Sequence, residues 1–156
     1  MKRAEVVCTP ALQRSCIGWL QEAAARQRLL LIAVGSSASH LHTLVAWHGT
    51  REAERVRAAM KRSVSAGLRR ERGDGAGGGS LFSKGGDCFR IQSRRKYRFQ
   101  RFAYLPDHPG WFWDIDRGLR PPAEGQRLVE RWRLGESVER GAFVPVERAR
   151  GLREGA

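Results

Sequence analysis

Lysine is scarce in this chain: Lys2, Lys61, Lys84 and Lys96 are its four lysines, although Lys and Arg together number 29. Acidic residues are also few, 16 Asp and Glu, which leaves a formal net charge of +13 over 156 residues. Such a field favours a polyanion as partner: nucleic acid first, with ribosomal RNA or a membrane surface as other takers of a basic protein. Cysteine is limited to Cys8, Cys16 and Cys88. An odd number without metal-type spacing excludes a disulfide framework and fits the reduced thiols of a cytosol. No long apolar run exists. The longest, Leu29 to Val34, is far too short to span a bilayer, and Met1-Lys2-Arg3 leads into polar sequence rather than a secretory apolar region. A soluble, cytoplasmic protein is expected, with no membrane partner. There is no internal repeat, and the length suits one core and one site.

The elements follow from periodicity. Ala4 to Cys8 is a short strand candidate. Thr9-Pro10 supplies an N-cap and a first-turn proline for a helix whose apolar line is Leu12, Cys16, Trp19, Leu20, Ala23 and Ala24, ending near Gln27. Leu29 to Val34 reads as a buried strand, residues 35–39 as a turn, and His40 to Trp47 as a second strand. Thr50 is placed to cap a helix from Arg51 to about Leu68, with Ala53, Val56, Met60, Val64 and Leu68 inward and arginines elsewhere. The glycine-rich stretch 73–80 suits a mobile loop. Asp87 to Gln92 is a further strand candidate, and Ser93 caps a third helix running to about Tyr104. The order predicts an α+β fold, a ferredoxin-like split βαβ antiparallel sheet with helices on one face and the other face free for a ligand. Residues 1–113 form the expected domain. Residues 114–156 are expected to be a basic, partly disordered tail, with some helix near Gln126 to Trp132.

Two groups of residues carry chemistry. His40-Leu41-His42 lies within a predicted strand, so the two imidazoles leave by one face while Leu41 enters the core. Such a pair can grip one metal ion, and it also occurs incidentally. His48 falls beyond the strand. On the third helix Arg94, Tyr97, Arg101, Tyr104 and His108 form one line at spacings of three and four, with Phe99 and Phe102 opposite as core. A phenol, an imidazole and guanidiniums on one line suit phosphate chemistry, while the same face also suits plain solvation. Pro106 lies between Tyr104 and His108, which predicts that the helix ends or kinks at Tyr104.

Taken together, HLH followed by Thr-Leu-Val, Leu-Phe-Ser-Lys-Gly-Gly at 81–86, the Tyr104/His108 pair and Gly-Trp-Phe-Trp at 110–113 resemble the HUH-class single-tyrosine transposases, especially the REP-associated tyrosine transposases. The likeness spans Val6 to Trp113, about two-thirds of the chain. It implies a metal-dependent enzyme that nicks and rejoins single-stranded or hairpin DNA. His40, His42 and His108 would hold Mg²⁺ or Mn²⁺, and Tyr104 would form a 5′-phosphotyrosine link. Three imidazoles suit zinc better on ligand type alone. The resemblance also implies a homodimer and a bacterial, nucleoid-associated location. Ser39 departs from the family, which often has Asn or Asp before the first histidine. Tyr97 is the fallback nucleophile. Arg51, Arg55, Lys61, Arg62, Arg94, Arg95, Arg98 and Arg101 are the expected DNA contacts. Two other functions fit the residues: a catalytically silent DNA-hairpin binder, and a basic RNA-associated protein.

Overall fold

The computed structural model describes residues 7–73, 82, 86–136 and 138. Helix α1, Pro10–Arg26, starts where the sequence predicts: Thr9 Oγ1 accepts from the Leu12 amide at 3.3 Å and Pro10 fills the first turn. Strands β1 (Leu30–Ser36) and β2 (Leu41–Ala46) form an antiparallel pair. Helix α2, Ala53–Arg72, begins later than Thr50 would set it. Glu52 occupies the cap position without a side-chain bond. The preceding loop is held differently, by Trp47 Nε1 donating to the Arg51 carbonyl and Arg51 Nη1 donating to the Gln27 carbonyl at the end of α1.

Ser93 caps helix α3, Arg94–Phe99, by accepting from the Lys96 amide. The helix runs without a break into a π-helical turn, Gln100–Tyr104, closed by the Leu105 amide on the Gln100 carbonyl five residues back. Strands β3 (Phe112–Asp114) and β4 (Gly118–Arg120) follow, then helix α4, Pro122–Arg133. The sheet is antiparallel throughout in the order β2-β1-β3-β4. The α+β class expected from sequence is what the chain adopts.

Two expectations are corrected, and a third falls mostly outside the described residues. Asp87 to Gln92 forms no strand; Cys88 and Phe89 lie exposed there, and the place beside β1 is taken by Phe112–Asp114. The residues after Trp113 are no loose tail as far as Arg133: Asp114 belongs to β3, and β4 and α4 pack behind it. The strand candidate at Ala4 to Cys8 lies mostly outside the described residues, as do the glycine loop beyond Gly73 and residues 139–156, and Val7 and Cys8 are not in a strand.

Helices also cover both faces of the sheet rather than one. Leu31 and Val34 of β1 pack with α1 and α2, against Ile17, Leu20, Val56 and Met60. Ile32 and Ala33 pack on the other side with Phe102, Leu105, Phe112 and Leu128, from the π turn, its C-terminal end, β3 and α4. Neighbouring residues on one strand point to opposite faces, and a register shift between Leu31 and Ala33 resets the alternation. Helix α4 comes close to the end of the tyrosine-bearing helix because residue 125 is glycine: a Cβ there would lie 2.6 Å from the Pro106 carbonyl oxygen.

Candidate active site

β2 and the end of the π turn bring four side chains together. His42 lies on β2, opposite Gly35 of β1, and His40 just before that strand. Their rings stack with centres 6.0 Å apart. The His108 ring stands 4.6 Å from His42, and the Tyr104 ring 5.6 Å from His42 and 5.0 Å from His108. Leu41, between the histidines, packs against the α1–α2 core. Tyr104 is 38% exposed, so its phenol is open to a ligand.

His108 reaches this place by a route other than a continued helix. Pro106 has no amide hydrogen, and the helical bonding stops at Leu105. Leu105 keeps right-handed helical angles, φ −66° and ψ −42°, despite the proline that follows. A turn then folds the chain back, with the His108 amide on the Leu105 carbonyl. His108 Nδ1 lies 3.0 Å from the Tyr104 carbonyl oxygen and 3.2 Å from that of Leu105. Carbonyl oxygens only accept, so Nδ1 carries a hydrogen, which leaves Nε2 as the ring nitrogen that can face a ligand. The ring therefore adds a donor to the carbonyls at the helix end and is held beside Tyr104.

Gly35 makes room for that ring. A Cβ at this position would lie 2.5 Å from the Leu105 carbonyl oxygen and 3.1 Å from His108 Nδ1. Neither motif nor periodicity points to Gly35; its register opposite His42 is the signal that a sheet alignment would provide. Behind the site, Gln13 of α1 joins three segments. Its Nε2 donates to the Cys8 carbonyl, and its Oε1 accepts from the Trp111 amide at 3.0 Å. The Ser36 hydroxyl, fully buried, donates to the Trp111 carbonyl at 2.6 Å. That lock fixes the end of β1 against the segment joining His108 to β3.

Electrostatically the cluster is poor in acid. Burial lowers the His42 pKa from its ordinary value, and repulsion from His108 and then His40 lowers it further. A neutral imidazole is the form that binds a metal. The donor set suits an ion in kind: His108 presents Nε2, and its Nδ1 is fixed by carbonyl oxygens as in many metal-ligating histidines. Two imidazoles sharing one ion at about 2.1 Å have ring centres roughly 4.5–5.5 Å apart. The His42–His108 pair meets that at 4.6 Å, while His40 at 6.0 Å from His42 does not. His40 is exposed, its Nδ1 2.6 Å from Ser39 Oγ, and it must turn to join them. Accordingly, no three His, Cys, Asp or Glu among the described residues stand ready to hold an ion.

The other predicted residues divide. Arg101 is the clearest correction: it is fully buried and faces β3, where Nε and Nη2 clamp Asp114 at 2.7 and 2.9 Å and Nη2 also meets Asp116 at 2.7 Å. It contacts no solvent and is unavailable to DNA. Tyr97, the fallback nucleophile, is buried with its hydroxyl accepting from Arg101 Nη1 at 3.2 Å. Phe102 is core as expected, but Phe99 is 47% exposed. Tyr97 faces inward on α3, and Phe99, two residues on and about 200° round the same helix, faces out. Arg62, Arg94 and Arg95 are exposed, and Arg55 is exposed beside Glu52 at 3.6 Å. Arg98 lies over the Trp132 ring at 5.4 Å and Lys61 over Phe82 at 5.8 Å. Arg51 is exposed but tied to α1 through the Gln27 carbonyl. Comparison with protein-family models, curated proteins and solved structures finds no match to the chain.

Proposed function

We propose that the protein cuts and rejoins single-stranded DNA, with Tyr104 as nucleophile and His40, His42 and His108 as the residues that would hold a divalent ion, Mg²⁺ or Mn²⁺. The observation that carries this reading is the meeting of Tyr104, His42 and His108 at one end of the π turn, with ring centres 4.6–5.6 Å apart. The resemblance of these residues to the HUH-class single-tyrosine transposases agrees with it, and so does the α+β class, a four-stranded antiparallel sheet packed with helices. When bound, the ion would supply Lewis-acid polarisation of a non-bridging phosphate oxygen.

The chain's own residues do the rest. The Tyr104 oxygen bonds to phosphorus while the bond from phosphorus to the 3′ oxygen breaks. The phenol's proton passes to solvent, and the departing oxygen takes one up to become a 3′-OH. Tyr104 is thereby linked to the 5′ phosphate. Attack by another 3′-OH reverses the sequence and joins strands without a nucleotide cofactor. The His108 ring, held by the Tyr104 and Leu105 carbonyls, keeps the helix end in place beside the phenol. Exposed arginines on α2 and α3 supply the sequence-independent hold on phosphates. The natural substrate in this reading is single-stranded or hairpin DNA, the location the bacterial cytoplasm near the nucleoid, and the working form a homodimer.

The test is a hairpin oligonucleotide with a single-stranded flank, incubated with the protein in Mg²⁺ or Mn²⁺ and resolved under denaturing conditions. A covalent protein–DNA band is expected, and it should vanish with Tyr104→Phe or with chelator. A band of parental intensity from Tyr104→Phe removes the nucleophile assignment. A second reading, a DNA binder without cleavage, is favoured by the 6.0 Å separation of His40 from His42. It predicts salt-sensitive binding with no adduct in either metal.

A further inference from the structure

A groove of about 640 Å³ lies along the start of α3, lined by Arg94, Arg95, Lys96, Arg98, Phe99 and Trp132 with the cap residue Ser93. Among the described residues its wall carries four cations and no carboxylate. Two of its members are aromatic, and they differ in state. Trp132 of α4 is half-buried, stacked on Phe102 at 6.0 Å with the Arg98 guanidinium over it at 5.4 Å. Phe99 is exposed and has no core role. A second exposed ring, Phe89, lies under the Lys96 ammonium at 4.6 Å. Water-facing phenylalanines among cations are costly unless a ligand covers them.

We propose that this groove is a stacking subsite for an unpaired base of single-stranded DNA, with Phe99 as the platform and Arg94 and Arg95 on the flanking phosphates. Every base offers a π-face, and a cationic groove with an exposed ring is the usual means of holding a single strand without reading its sequence. The π turn links the groove to the candidate active site. An α-helix would hold Phe99 and Tyr104 about 140° apart around its axis. Bonding five residues back, as Leu105 does to Gln100, draws residues five apart towards one side. Both side chains are exposed. A strand laid along this side would reach the Tyr104 hydroxyl with a neighbouring base on Phe99. The inference rests on the strand-cleavage reading for its substrate but makes a separate claim about where the strand is gripped.

The test is fluorescence anisotropy of a labelled oligothymidine and of an abasic strand of equal length, at one low salt concentration and without metal. The parent should prefer oligothymidine. Phe99→Ala should weaken it about tenfold and leave the abasic strand almost unaffected, and Phe99→Trp should restore binding. Leu119→Ala, which removes an exposed apolar side chain from β4, serves as a control and should change nothing. Equal binding of oligothymidine by Phe99→Ala and the parent, or no parental preference over the abasic strand, overturns the subsite. Tyr104→Phe should keep the Phe99-dependent binding while losing the covalent adduct. An absent adduct with Phe99-dependent binding intact therefore sinks the cleavage reading alone, and an adduct with no Phe99 dependence sinks the groove alone.

Discussion

Burial lowers the pKa of His42 below its ordinary value near 6.5, and the neighbouring His108 and His40 add to the effect. A base whose folded value is lowered takes up fewer protons than the unfolded chain does. Its contribution to stability is therefore full above about pH 6.5 and is lost as pH falls from there through the folded value. The metal-free protein should show a urea midpoint that drops between about pH 7.5 and about pH 5.5, and His42→Asn should flatten that drop. An unchanged slope would place the pH sensitivity elsewhere. At Gly35 the expectation is steric. An added methyl meets the Leu105 carbonyl at 2.5 Å, a backbone atom that cannot swing aside. Gly35→Ala should cost about 1–3 kcal/mol in urea denaturation, with the His108 ring resonances shifted and adduct yield reduced. A neutral Gly35→Ala would mean that the turn carrying His108 yields easily.

At the scale of elements, the tyrosine-bearing helix is fastened to the sheet by buried ion pairing of Arg101. Arg101 meets Asp114 through two nitrogens, and Asp114 also faces Arg117 at 3.4 Å. Its burial would lower the guanidinium's pKa, but the bonds to Asp114 and the pull of both carboxylates outweigh that and hold it raised. Asp114→Ala leaves the buried guanidinium with Asp116 as its remaining carboxylate partner and should cost about 3 kcal/mol, whereas Arg101→Met combined with Asp114→Leu should recover part of the loss. If the single variant loses less than about 1 kcal/mol, the pair is no fastening. Most helices were legible: Thr9-Pro10 and Ser93 mark two of their starts, and the apolar lines of α1 and α2 fall on buried residues except at Trp19 and Ala53, which are half-buried. The line Arg94–Tyr97–Arg101–Tyr104 was misleading because regular spacing assumes an α-helix throughout. Nothing in residues 100–104 announces a π turn, and no local pattern tells that Asp114 waits inside for Arg101. That His40 and His42 stand near each other was readable from strand alternation, although His40 lies just before β2, while the approach of His42 to His108 depends on a fold-back after Pro106 that spacing does not encode.

Across the whole molecule the net charge of +13 sets how binding responds to salt. Each cation that neutralises a phosphate of a single strand contributes about −0.7 to the slope of log affinity against log salt. Replacing Arg94 and Arg95 by Gln should therefore make the slope shallower by about 1.4, while Arg26→Gln on α1, distant in sequence and paired with Glu22, should leave it alone. A slope indifferent to Arg94 and Arg95 would move the contact surface away from α3. The region after Trp113 was the least legible part of the chain. Its charged residues disguise three buried positions of α4, Gly125, Leu128 and Val129, and β3 and β4 are only three residues each, too short for alternation to be seen.

The close seating of Gly125 on the Pro106 carbonyl gives α4 a hold over chemistry it never touches. A side chain at residue 125 would press on the backbone two positions before His108, and the displacement would travel to the imidazole through covalent bonds alone. Removing the chain after Trp113 would take away the wall against which that bend rests. A shortened protein trimmed to its recognisable motifs would then retain every named ligand and the nucleophile, yet leave them without a backstop.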